Sequence, residues 1–82
     1  MSKVYLVYGG WDYEGGMPIK CFSDEKSAQD WVIVLEKYDY KIKFIDDRKE
    51  YVKMEQNHPA GSYFGFDSYL IYELEMDERG DL

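Results

Sequence analysis

The segment Lys3–Tyr8 most strongly limits what this chain folds into, because it is apolar on both faces of an extended strand. It is rich in β-branched and aromatic residues, and Gly9-Gly10 follows at once, which is typical of a strand closed by a turn. Its apolar side chains alternate, with one set being Val4, Leu6 and Tyr8 and the other Tyr5 and Val7. We therefore predict a central strand, or a sheet whose second face is also covered.

Residues 9–16 have paired glycines at both ends, and such a permissive backbone predicts a tight loop between adjacent strands. Met17–Phe22 then forms the second predicted strand. Pro18 cannot donate a ladder hydrogen bond, so we expect it at the sheet edge or at the start of the strand. Cys21 shares a predicted strand face with Met17 and is interpreted as a small buried hydrophobic residue.

A helix is predicted over Asp24–Lys37. Ser23 is its expected cap, and the acids that follow it suit the positive end of the helix dipole. Apolar residues recur at the i, i+3, i+4 and i+7 positions of a helix, namely Ala28, Trp31, Val32 and Leu35.

The middle of the chain fits two structures. Residues 38–44 alternate as in a strand, but apolar residues from Phe44 onward recur as on a helix face. We favour a second helix over residues 42–56 that ends at Asn57-His58-Pro59, and the alternative is a hairpin turning at Asp46-Asp47. The histidine is interpreted as a surface residue that ends the helix.

A loop is predicted over residues 59–67, followed by a last strand over Ser68–Met76 and a charged tail from about residue 77. The residues of this strand predicted to face inward are Leu70, Tyr72, Leu74 and Met76. The whole chain, 1–82, is thus predicted to be a single α+β domain in the order β-β-α-α-β. About three antiparallel strands form its sheet, the first and last pair, and one or two helices pack on one face.

Charge and cysteine content exclude several classes of function. The formal charge of −7 disfavours direct binding to nucleic acid or to an anionic membrane. With one cysteine and no apolar run as long as a membrane span, we expect a cytoplasmic protein without an internal disulfide. A core this small gains from burial against a second copy, so we also expect a homodimer.

No catalytic residue, metal site or cofactor is predicted. The glycine-rich loop lacks a phosphate-binding pattern, and Asp12 and Glu14 would repel an anion there. Those two carboxylates lack the further ligands of a hard cation. His58 is the sole histidine, which excludes a multi-histidine zinc site and leaves only a pairing with Cys21 or a serine as a nucleophile and base. We expect a protein that is not an enzyme.

Two surfaces are predicted to contact partners. The first is the glycine-rich loop, where large rings and acids stand together at Trp11, Asp12, Tyr13 and Glu14. The second is an outward sheet face that would mediate dimerisation, formed by Tyr5, Val7, Phe22, Tyr69 and Ile71. The competing interpretation of that face is that a helix covers it.

One pattern spans most of the chain. It comprises residues 9–15 (GGWDYEG), Phe22-Ser23, Ala28 and the acidic last strand over residues 66–74. In this pattern the chain resembles a family of short uncharacterised proteins from bacteria and their phages. This resemblance implies a bacterial or phage setting. From the aromatic content and the missing catalytic set, we predict a non-enzymatic protein-binding module. The resemblance implies that this module is a phage-type accessory or host-factor-binding protein. The alternative is an acidic, nucleic-acid-mimicking inhibitor of a nucleic-acid-binding enzyme or a defence system.

Overall fold

Three strands and two helices follow one another in the predicted order. The computed structural model describes residues 2–45 and 47–76, so the predicted charged tail lies outside the described residues. The elements are β1 (Ser2–Trp11), β2 (Gly15–Phe22), α1 (Glu25–Lys43), α2 (Arg48–Gln56) and β3 (Ser68–Met76).

The three strands form one antiparallel sheet in the order β2-β1-β3. β1 therefore lies at the centre and pairs with both neighbours, as its two apolar faces predicted. The α+β class, the element order and the pairing of the first and last strands are confirmed.

The glycine-rich segment is shorter as a loop than predicted. Gly9, Gly10 and Trp11 continue β1, and β2 begins at Gly15, so only residues 12–14 form the turn. Gly15 has a positive φ of 77°, which suits the end of this turn. Gly9 has another role: a Cβ atom there would lie 2.7 Å from the ring of Phe66, so its missing side chain makes room for that ring.

A β-bulge between β1 and β2 changes the face on which a residue lies. Val7 pairs with Lys20 but Tyr8 pairs with Pro18, so Ile19 is the extra residue. Because the bulge shifts the alternation by one residue, Met17 and Cys21 lie on opposite faces of the sheet. The prediction that Cys21 is buried beside Met17 is therefore wrong, and its side chain is exposed.

α1 begins one residue later than predicted and ends six residues later. Its N-cap is Asp24, not Ser23, because the Asp24 carboxylate accepts a hydrogen bond from the Ser27 backbone N–H at 2.9 Å. At the other end, the Phe44 N–H donates to the carbonyl of Lys41. The alternation over residues 38–44, which is typical of a strand, belongs to this helix.

The helix continues because its buried stripe continues. Leu35, Asp39 and Ile42 lie four and three residues apart, and all three are buried. Asp39 has a charged side chain at a core position, and this interrupts the apolar pattern that predicts a helix. The buried apolar residues of the described chain are Val7, Ala28, Leu35, Ile42 and Phe66.

α2 is a short helix that packs against α1 and not against the sheet. Asp47 caps it by accepting from the Lys49 N–H, and Asn57 ends it as predicted. The predicted start at residue 42 is wrong, as is the alternative hairpin, because the chain leaves one helix after Lys43 and enters the next at Arg48. Neither described helix is long and apolar enough to cross a membrane.

Candidate functional site

One face of the sheet is covered by α1, and it is the face predicted to be open. Val7 is fully buried on it, and the Phe22 ring lies 5.6 Å from that of Trp31 on α1. The Tyr69 hydroxyl donates to the carboxylate of Asp39, also on α1. Alternation places the remaining members of the predicted contact set, Tyr5 and Ile71, on this same side. The assignment of these five residues to an exposed face is therefore wrong.

The other face of the sheet carries no described helix, and its side chains are apolar. Its three exposed residues on β3 are Leu70, Tyr72 and Leu74, at 52%, 47% and 46% exposure, so the prediction that they point inward is also wrong. Each lies directly opposite an apolar residue of β1, in the pairs Val4 with Leu74, Leu6 with Tyr72, and Tyr8 with Leu70. We call these six residues the open face.

The sequence analysis assigned the helix to the wrong face of the sheet, because both faces of β1 and β3 are apolar. Period-2 alternation identifies which residues share a face, and it grouped the strand residues correctly. It does not say which group the helix covers. Bulk alone does not decide, since each group contains tyrosines and branched aliphatic residues.

None of the six residues of the open face is charged, although charged residues make up 33% of the chain. The charged residues of the strands project to the opposite side, because each one is an odd-numbered residue of β1 or pairs with one. They are Lys3, Lys20, Glu73 and Glu75. Lys20 lies 5.2 Å from the centre of the Phe22 ring on that side. Cys21 and Pro18 extend the uncharged surface onto β2.

Two tyrosines order the middle of the open face. The rings of Tyr8 and Tyr72 meet edge to face with their centres 5.7 Å apart. The Tyr8 hydroxyl donates to the carbonyl of Gly16 at 3.0 Å, which holds its ring against β2. A rigid aromatic pair of this kind is a common anchor in protein interfaces.

The predicted contact loop is divided by the structure. Trp11 belongs to β1, where its ring lies 4.9 Å from that of Phe66 and its indole N–H donates to the carbonyl of Phe64. The turn itself projects outward, and Tyr13 is 98% exposed. Asp12 and Glu14 are exposed beside it, and the Asp12 N–H donates to the Asp67 carboxylate at 2.8 Å. Three of the four residues thus remain available for contact.

A buried polar network was not predicted. His58 is buried, contrary to the surface position expected for it, and its Nε2 lies 2.6 Å from Asp39 Oδ1. The other oxygen of Asp39 accepts from the Tyr69 hydroxyl. The network therefore ties α1 to the segment after α2 and to β3. Its only sequence signal was the position of Asp39 on the buried stripe of α1, between Leu35 and Ile42.

The hydrogen bonds determine where the histidine proton lies. The Ala60 backbone N–H donates to His58 Nδ1 at 3.2 Å, so that nitrogen must be an acceptor. The proton of the neutral ring is then on Nε2, which donates to Asp39. Burial, reinforced by the hydrogen bond to Asp39, holds the pKa of Tyr69 well above the ordinary value of 10.0, so its hydroxyl remains a donor.

This arrangement holds three segments of the chain together. Both ring nitrogens of His58 are engaged, and the ring is enclosed by Tyr38 and Tyr63 at centre distances of 5.4 and 5.6 Å. Cys21 lies on the opposite side of the sheet, so the two cannot form a nucleophile and base pair. In the part of the chain that the structure describes, every buried side-chain polar atom has a hydrogen-bond partner.

A groove of about 530 Å³ lies between α1 and residues 66–69, with Asp39 and Tyr69 in its lining. Glu36, Lys43 and Asp67 bring charges of both signs to it. Over residues 2–45 and 47–76, no three side chains of His, Cys, Asp or Glu come together as metal ligands.

Comparison of the chain with protein-family models, with curated proteins and with solved structures found no match.

Proposed function

We propose that this chain is a non-enzymatic protein-binding module whose main binding surface is the open face. The observation that carries the proposal is a sheet face made of three apolar cross-strand pairs with no charged side chain among them. Exposed apolar patches of this extent on small proteins are typical of interaction sites. The partners that such a surface fits are a second copy of the chain or another protein with a matching apolar patch.

The turn at residues 12–14 supplies a second, smaller contact in this proposal. Tyr13 stands almost fully exposed between two acids, so it offers a ring flanked by negative charge. The free and exposed thiol of Cys21 suits work in a reducing cytoplasm. The bacterial or phage setting implied by the sequence resemblance is consistent with an accessory protein that binds a host factor.

The non-enzymatic half of the proposal rests on the buried network. The sole imidazole has no free nitrogen, and the sole thiol lies across the sheet from it. Acid and base work needs a group that reaches the reacting proton, and His58 does not meet this requirement.

An acidic inhibitor of a nucleic-acid enzyme remains the second candidate, on the strength of the charge of −7. Three exposed lysines, Lys37, Lys41 and Lys43, follow the exposed acids of α1, and these positive charges dilute a phosphate-like array. Binding of this kind would weaken steeply with salt, whereas binding through an uncharged face would not.

The test compares two substitutions that add the same charge at equal exposure. Leu74 on the open face is 46% exposed and Val34 on α1 is 47% exposed. Leu74→Glu should abolish association, both with itself and with proteins captured from a bacterial lysate, while Val34→Glu should retain it. If Leu74→Glu associates as the unmodified protein does in both assays, the open face is not the binding surface.

A further inference from the structure

We infer that two copies of this chain pack face to face through their open faces, as a sandwich of two sheets with α1 on each outer side. This inference rests on the proposed function and names the partner. In such a dimer the layer missing from each monomer is supplied by the other, so that both sides of β1 become buried.

The two edge strands are poorly suited to pairing with a second copy, and this favours association through the open face. Pro18 removes a backbone donor from β2, and the bulge at Ile19 breaks the regular edge. The other edge strand, β3, carries Glu73 and Glu75, so two copies joined there would bring carboxylates together. The open face has neither obstacle.

The area of the open face is near what a specific dimer needs. Its three exposed residues on β3 are about half exposed, and those on β1 less so. Together with Pro18 and Cys21 they form a patch that, counted on both copies, is on the order of the 1,000 Å² at which specific interfaces begin. We therefore expect a weak dimer that dissociates on dilution.

The charge distribution also favours a second copy of the chain as the partner of the open face. Each copy carries a formal charge of −7, and two such chains repel at most orientations. Face-to-face packing places the charged strand residues on the outer sides of both sheets, away from the interface. Salt screens the remaining repulsion without weakening apolar contacts, so the dimer should become tighter as salt increases.

Sedimentation equilibrium over a range of protein concentrations tests the inference, at low and at high salt. The unmodified protein should form dimers, with a dissociation constant that falls several-fold at high salt. Leu74→Glu and Leu6→Glu should each raise it at least tenfold, while Val34→Glu should leave it within about twofold. Leu6 is informative because it lies on the central strand, which has no free edge, so its effect reports on the face alone.

Far-UV circular dichroism and thermal melting of each variant separate loss of the dimer from loss of the fold. A folded monomer from either open-face variant supports the inference. A protein that stays monomeric at millimolar concentration and high salt overturns it, as does a dimer unaffected by both substitutions. If the protein is monomeric but Leu74→Glu still abolishes capture of another protein, the inference fails while the proposed function stands.

Discussion

Removing one hydroxyl from the buried network should measure how much that network stabilises the fold. Tyr69→Phe deletes the donor to Asp39 and leaves the aromatic ring in place. Hydrogen bonds to charged groups contribute about 1.5–3 kcal/mol, and because Tyr69 is only partly buried we expect about 1.5–2 kcal/mol from the lower part of that range.

Tyr5→Phe is the matched control. It deletes the same group from the same sheet face, but the Tyr5 hydroxyl bonds to exposed Glu73 at 3.5 Å. We expect a cost below about 0.5 kcal/mol, since long and exposed contacts contribute little.

Asp39→Leu should lower the stability of the fold most. It leaves the donors of His58 and Tyr69 without an acceptor and should cost about 3–5 kcal/mol.

Urea unfolding at one fixed protein concentration measures these differences, because self-association would otherwise shift the midpoints. With a slope of about 1 kcal/mol per molar for a chain of this size, Tyr69→Phe should lower the midpoint by about 1.5–2 M. Equal midpoints for the Tyr69→Phe and Tyr5→Phe proteins would refute the reasoning, since the buried carboxylate would then contribute no more than a surface contact.

The alkaline limb of the curve of folding stability against pH offers an independent check on Tyr69. The pKa of Tyr69 is raised in the folded state, chiefly by burial, so this residue keeps its proton while the unfolded chain loses it above about pH 10. Its contribution is complete below that pH and is lost as pH rises further. The slope is at most about 1.4 kcal/mol per pH unit, reduced by partial exposure. Tyr69→Phe should flatten this limb in unfolding measurements between pH 9 and 11.

Three further substitutions test the local structure. Gly9→Ala should cost about 1–3 kcal/mol, because its Cβ would lie 2.7 Å from the Phe66 ring, whereas a Cβ at Gly10 meets its nearest atom at 3.5 Å and should cost less. Equal thermal shifts for the two alanine variants would contradict this packing. The cap hydrogen bonds from Ser27 lower the pKa of Asp24, so its stabilisation is present above the ordinary value of 3.8 and disappears as pH falls through the lower folded value. Asp24→Asn should therefore flatten the acid limb of stability against pH, and an unchanged limb would show that the cap does not couple to folding.

Only part of the candidate site could be predicted from the sequence. Alternation correctly grouped Val4 with Leu6 and Tyr8, and it grouped Tyr69 with Ile71. The side covered by α1 depends on the approach of a helix more than ten residues away in sequence, which no strand pattern contains. Cys21 was assigned to the wrong face for a related reason, because a single bulge moves every residue beyond it to the opposite face of the sheet.

The buried network was missed because His58 was interpreted as a surface residue and Asp39 was assigned no role. Aspartate is mostly exposed in proteins and histidine is intermediate, so residue type alone did not predict that Asp39 and His58 are buried. Burial became favourable only because the two side chains, together with Tyr69, satisfy one another across three segments of the chain. Partners so distant in sequence leave no local periodicity.

By itself, the sequence determined the type and order of the local elements, but not where α1 ends and α2 begins. Alternating apolar residues specify the strands, a side-chain cap starts α1, and a proline ends the region of α2, because each of these effects acts within a few residues. Only the tertiary structure decided which sheet face is covered and which remains open to a partner. That choice depends on the docking of α1 and on one hydrogen-bonded carboxylate in its buried stripe, and both are contacts between segments far apart in the chain.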